Sequence, residues 1–186
     1  MAIVKQTVPC LLVCAQFSQE ESLLNWTRER MERFLGPVEL ESKPFEFNQT
    51  SYYNKEMGEN LLKRLVVFQD LVDPAKLADI KLLTNQIEQE ALSANLSSQE
   101  RPVNLDPGLL NLGKFMLATT KDQAHRIYLR DGIFAEVTLH YQGTEFVIWP
   151  WTYADYRTDH VREFLKQARD LYRIKLKAWQ GSQNES

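Results

Sequence analysis

The sequence predicts a single α+β domain over residues 1–186, with a mixed, largely antiparallel sheet, helices packed against it, and a C-terminal helix closing the fold. Three observations carry that prediction. An apolar, strand-like run near the N-terminus leads straight into an amphipathic helix. Consecutive short strands joined by Gly-containing turns fill residues 125–149. One long segment with an apolar stripe ends the chain. At 44% hydrophobic and 25% charged residues, the composition suits a chain that closes one core and argues against disorder.

Pro9 to Phe17 is almost wholly apolar, as a strand buried on both faces requires. Ser18 and Glu21 have the spacing of a capping box, and apolar Leu23, Leu24, Met31, Phe34 and Leu35 follow at helical intervals until Gly36-Pro37 stops the helix. Val38 to Phe47 reads as a second strand interrupted by Pro44. Asn48 to Asn60 reads as a loop or short helical turn, and Leu61 to Phe68 as a strand-like run. Asp73-Pro74 starts a helix carrying Leu77, Ile80, Leu83, Ile87 and Ala91, and residues 95–101 form a loop. His125–Leu129 and Ile133–Tyr141, joined by Arg130-Asp131-Gly132, make the clearest hairpin, the second strand alternating through Tyr141. A turn at Gln142-Gly143-Thr144 leads to Glu145–Trp149. The last helix, Thr158 to Trp179, sets Val161, Phe164, Leu165, Ala168, Leu171 and Tyr172 on one face. The ordered core is expected over about residues 8–179, with 180–186 a flexible tail.

The charge balance narrows the function classes. Net charge is −3, so nucleic acid and anionic membrane are poor partners on electrostatic grounds. Cys10 and Cys14 are too few for a disulfide framework or a zinc site and read as buried thiols in a reducing, cytoplasmic setting. The N-terminal apolar run contains Pro9 and falls well short of the roughly 20 residues a bilayer span needs.

Candidate chemistry gathers between Asn104 and Arg157. Gly108-Leu-Leu-Asn-Leu-Gly113-Lys114 satisfies G-x-x-x-x-G-K, but Phe115 stands where a phosphate loop needs a hydroxyl for Mg²⁺, so the match is set aside. Asp106, in Asp-Pro-Gly, reads first as a turn residue and second as a carboxylate base or ligand on a rigid loop. Thr119, Thr120, Lys121, His125 and Arg126 put two hydroxyls, two cations and an imidazole within eight residues, a composition suited to cradling a phosphate. Glu136 lies mid-strand, with Thr138 and His140 expected on its face. With Asp106 and His125 it could form an acid–base set or a metal site, and the chain has no H-x-x-x-H or similar spacing to favour the metal. Trp149, Trp151, Tyr153, Tyr156 and Arg157 form an aromatic loop. Trp149 is expected to seal the sheet against the last helix, and the tyrosines to offer a stacking wall, aided by Tyr52, Tyr53 and Glu56.

Several of these stretches together resemble a known family. They are Lys43-Pro-Phe-Glu-Phe47, Tyr52-Tyr53 with Glu56-Met-Gly58, Lys81-Leu-Leu-Thr-Asn85, Asn104-Leu-Asp-Pro-Gly108, Ala118-Thr-Thr-Lys-Asp122 with His125-Arg-Ile-Tyr-Leu129, Ala135-Glu-Val-Thr-Leu139, and Pro150-Trp-Thr-Tyr153 with Asp155-Tyr-Arg157. The chain resembles, over roughly residues 8–176, an uncharacterised bacterial family catalogued as a domain of unknown function, whose members are often labelled "GTP-binding protein". The resemblance brings no established activity with it.

The residues themselves lead to an expected function. It is binding, and by extension hydrolysis, of a phosphate-bearing or nucleotide ligand. Lys121, Arg126 and Arg157 would meet phosphates, Asp106 and Glu136 would supply carboxylates for acid–base work or Mg²⁺, and His125 would shuttle a proton. The alternative is a non-enzymatic adaptor that grips a protein partner with the 149–157 loop and the basic last helix.

Overall fold

A computed structural model of the chain describes residues 1, 3, 7–49 and 53–184. Strand β1 (Cys10–Ser18) is buried along its whole length, as its apolar sequence requires. Helix α1 (Glu21–Leu35) follows, with Leu23, Leu24 and Met31 inward. The expected capping box does not form. Ser18 ends β1 instead of capping α1, and its hydroxyl donates to the Pro102 carbonyl at 2.7 Å, leaving Glu20 as the N-cap with no side-chain bond.

The predicted second strand is split at Pro44 into β2 (Val38–Glu41) and β3 (Phe45–Phe47), both hydrogen-bonded to β4 (Leu61–Val72), which runs four residues beyond the predicted end. A single turn, α2 (Asn54–Met57), lies between β3 and β4, and Tyr52 falls outside the described residues. Asp73 accepts from the Ala75 amide at 2.9 Å and Pro74 opens a 3₁₀ turn, after which α3 (Leu77–Ser93) begins.

The largest departure from expectation is β5 (Asn104–Leu110). Asp106-Pro107-Gly108, read locally as a turn, is strand. The segment pairs antiparallel with β1 from Phe17↔Asn104 to Leu11↔Leu110, and that tertiary pairing overrides the local turn preference. Gly108 serves the other neighbour, β6 (Lys114–Thr119): a Cβ here would lie 2.4 Å from the Met116 carbonyl oxygen and 2.8 Å from the Phe115 ring. Gly108→Ala should therefore cost about 1–3 kcal/mol through overpacking, read as a lowered urea midpoint at unchanged slope. The Gly108–Lys114 stretch is a β-hairpin with no helix after it, so its phosphate-loop pattern is accidental.

The hairpin of β7 (Ile127–Arg130) and β8 (Ile133–Gln142) forms as predicted, its turn residues Asp131 and Gly132 both at positive φ, 53° and 75°. The alternation along β8 does not run through. Glu136 pairs with Leu117 and Leu139 with Phe115, so the register slips by one at Thr138 and puts Glu136 on the face of Leu139. Strand β9 (Glu145–Ile148) follows a turn at Gly143, and α4 (Asp159–Asn184) ends the described chain. Helix α4 continues five residues past Trp179. No proline breaks it, and the Ser182 hydroxyl donates to the Trp179 carbonyl at 2.7 Å. The rest of the predicted tail, residues 185–186, lies outside the described residues.

The strands make one sheet of order β2-β4-β1-β5-β6-β8-β7, with β3 also on β4 and β9 also on β8. Every pair among the described residues is antiparallel. Helix α4 covers one face, packing Val161, Phe164, Leu165, Ala168 and Tyr172 on Leu11, Val13, Leu65 and Phe115. The other face carries α1 and α3 on Leu12, Cys14, Val66 and Leu109. No helix among the described residues is long and apolar enough to cross a membrane.

Candidate functional site

The two strands at the centre of the site pair only briefly. β5 and β6 are in register over Gly108–Leu110 against Phe115–Leu117 and then part. Pro107, the next residue along β5, has no N–H with which to extend the ladder. A cavity of about 540 Å³ lies at this parting, within the range of small-molecule sites. It is lined from both faces of the sheet: Lys81 and Asn85 of α3 from one, and the loop Trp151–Tyr156 ahead of α4 from the other.

One wall is built around Lys63. It occupies an inward position of β4, between Leu61 and Leu65, and forms a buried ion pair with Asp155. The rings of Phe17, Phe47 and Tyr156 surround its ammonium at 5.4, 5.2 and 4.5 Å. The Tyr156 hydroxyl, shut off from solvent at this wall, has no hydrogen-bond partner among the described residues. Burial, then the Asp155 and Asp106 carboxylates, raise its phenol well above the ordinary value, so it stays protonated.

The second wall is a chain of polar contacts along β5. Asp106 accepts from Asn104 Nδ2 at 2.8 Å and from Lys81 Nζ at 3.3 Å, and Lys81 also donates to the Leu105 carbonyl at 2.7 Å. Asn104 in turn accepts from Arg101, which donates to Glu88 at 2.9 Å. Burial pushes the Glu88 carboxyl up against the opposing pull of Lys81 and Arg101.

The third wall is the loop between β6 and β7. Thr119, Thr120, Lys121 and Arg126 line it, opposite Tyr153 and Trp151. Arg126 is fixed on three sides: Nε donates to Glu136 at 2.9 Å, one terminal nitrogen to the Lys121 carbonyl at 2.9 Å, and the other to the Tyr153 hydroxyl at 2.6 Å. A guanidinium has five N–H groups, so two remain after these bonds. Partial burial and then the Glu136 carboxylate push the Tyr153 phenol up to about 12. Its oxygen accepts from Arg126 while its own proton is kept at neutral pH.

Seven of the predicted site residues thus come together at one cavity: Asp106, Thr119, Thr120, Lys121, Arg126, Tyr153 and Tyr156. Three do not line it. Glu136 is buried behind Arg126, where it also accepts from the Thr138 hydroxyl at 3.2 Å. His125 contacts Glu136 at 3.2 Å and stacks on Trp151 with 5.2 Å between ring centres. Arg157 donates to the Thr152 and Pro150 carbonyls at 2.7 and 2.9 Å, so it clamps its own loop and does not face the cavity. Trp149 stacks on Trp151 at 5.2 Å and lies tilted against His140 at 4.5 Å instead of sealing the sheet against α4. Cations of α4 proposed to hold a partner are engaged within the chain: Arg162 with Asp159, Arg169 over the Tyr141 ring at 3.5 Å, and Lys175 with Glu39.

Sequence reading missed Lys63, Lys81, Arg101 and Asp155. The first two carry a usable signal, since each is a lysine in an otherwise apolar stripe: Lys63 on β4 and Lys81 among Leu77, Ile80 and Thr84 on α3. Among the described residues no group of three or more His, Cys, Asp or Glu is placed to hold a metal ion.

A family model described as "Domain of unknown function (DUF4416)" matches residues 8–172. No curated protein matches the chain, and no solved structure does.

Proposed function

Since the chain belongs to the DUF4416 family, whose description carries no activity, function has to be read from the cleft itself, and we propose that the cleft binds a small phosphate-bearing ligand of up to nucleotide size. One observation carries this reading. Five cationic side chains, Lys63, Lys81, Arg101, Lys121 and Arg126, line the cavity against two carboxylates, Asp106 and Asp155, in a chain with net charge −3. The Thr119–Arg126 wall offers the phosphate two hydroxyls, the two remaining guanidinium N–H groups and the Tyr153 proton, with Arg126 held by Glu136 and bonded to Tyr153. Aromatic rings on the Lys63 wall and Trp151 give a flat ligand portion surfaces to lie against.

The roles of the predicted residues follow from their places. Asp106 is the lining carboxylate open enough to meet a ligand, with a side chain 29% exposed against 6% for Asp155. Glu136 and His125 act through Arg126, as positioning residues.

Thermal denaturation with pyrophosphate, AMP, ADP and ATP, each with and without Mg²⁺, tests the reading. At a hundredfold excess over Kd a bound ligand stabilises by about 2.7 kcal/mol, a rise in Tm of roughly 5–10 °C for a chain of this size. The Lys121→Ala/Arg126→Ala double variant should lose that rise. If no phosphate compound shifts Tm and the double variant behaves as wild type, the proposal fails.

A further inference from the structure

We infer that Asp106 is the specificity-determining residue of the cleft and that its ligand class is a phosphate monoester carrying a vicinal diol, as a ribose or another polyol supplies. The inference rests on the phosphate reading above and deepens it.

Donors and acceptors are out of balance along the lining. All five lining cations can only donate, and Asp155 is buried under Lys63. Among the described residues Asp106 is the one lining carboxylate left partly open, and a carboxylate can only accept. Each of its oxygens already takes one bond, Oδ1 from Lys81 at 3.3 Å and Oδ2 from Asn104 at 2.8 Å. A carboxylate accepts about four hydrogen bonds, so each oxygen can take one more. What meets it must therefore be a donor. A phosphate is repelled and is directed to the Thr119–Arg126 wall. An ammonium is disfavoured because Lys81 already stands 3.3 Å from the same carboxylate, and a second cation there would be repelled. Neutral hydroxyls meet neither objection, and two adjacent hydroxyls match the two free acceptor positions of one carboxylate.

The geometry around Asp106 favours a fixed reader over an adaptable one. β5 is held by β1 on one side, Asn104 is bonded to Arg101, and Lys81 is anchored on the Leu105 carbonyl. A carboxylate held on both oxygens orients its remaining acceptor positions before the ligand arrives, which strengthens discrimination between ligands with and without the hydroxyl.

The test uses three probes on the full chain, by calorimetry or ligand-observed NMR: pyrophosphate, ribose 5-phosphate and 2-deoxyribose 5-phosphate. Ribose 5-phosphate should bind about ten-fold or more tightly than its 2-deoxy counterpart. In Asp106→Asn that gap should shrink to about two-fold or less, while pyrophosphate binds at least as well as to wild type. Equal affinities of the two sugar phosphates for wild type, or a gap that survives in folded Asp106→Asn, overturns the inference and leaves the phosphate reading standing on pyrophosphate. If Asp106→Asn does not fold, Asp106→Glu, which keeps the charge beside Lys81 but moves the carboxylate, takes its place and must also lose the gap. Binding of none of the three probes overturns the phosphate reading and this inference together.

Discussion

Asp155→Ala is expected to lower folding stability by about 3–5 kcal/mol, the usual cost of stranding one member of a buried ion pair. Lys63 is 2% exposed, and Asp155 is its carboxylate partner. The three rings around the ammonium offset only part of the loss, each such contact being worth about 0.5–2 kcal/mol. For a chain of this size the change corresponds to a fall in Tm on the order of 10 °C. The double replacement Lys63→Met/Asp155→Leu should recover most of it, because two apolar side chains of similar volume carry no desolvation penalty. A double variant as unstable as Asp155→Ala alone would show that the pair is not the source of the loss.

That pair also shows why the site was only half legible in the sequence. Lys63 and Asp155 are 92 residues apart and meet because β4 lies two strands from β5 and the loop ahead of α4 folds back over the same sheet end. No local pattern encodes such a meeting. The Thr119–Arg126 wall was legible because its polar residues cluster in sequence and run straight into a hairpin whose Asp131-Gly132 turn is itself a strong local signal. β1 and α4 were legible for a related reason: a continuous apolar run and a long helical stripe each fix element type without help from neighbours.

β5 was not legible. Asp106-Pro107-Gly108 has the composition of a turn, and its strand conformation is imposed by the pairing with β1 and by the space under the Phe115 ring that only glycine leaves open. The same three residues build the site, with Pro107 ending the ladder, Gly108 allowing the last close approach of β6, and Asp106 facing the gap that results. The Glu136 face was misjudged for a related reason. The slip at Thr138 depends on how β6 pairs with β8, and strict alternation cannot anticipate it.

Arg126→Lys, which keeps the charge, is expected to weaken binding of phosphate compounds by about a hundredfold, close to the effect of Arg126→Ala. The reason is geometric. The guanidinium reaches Glu136, the Lys121 carbonyl and the Tyr153 hydroxyl at once and still has two N–H groups. An ammonium has three protons on one atom, and satisfying those partners would leave none for the ligand. Glu136→Ala should act on the same geometry from behind. It strands a guanidinium whose side chain is 2% exposed, costing about 3–5 kcal/mol, and it frees Arg126 to leave the wall, so affinity should fall even though a negative charge has been removed from near an anion site. A purely electrostatic site would respond in the opposite sense, with tighter binding in Glu136→Ala and nearly wild-type binding in Arg126→Lys. Urea melts and pyrophosphate titrations of the two variants therefore decide whether Arg126 is a placed fork or one charge among five.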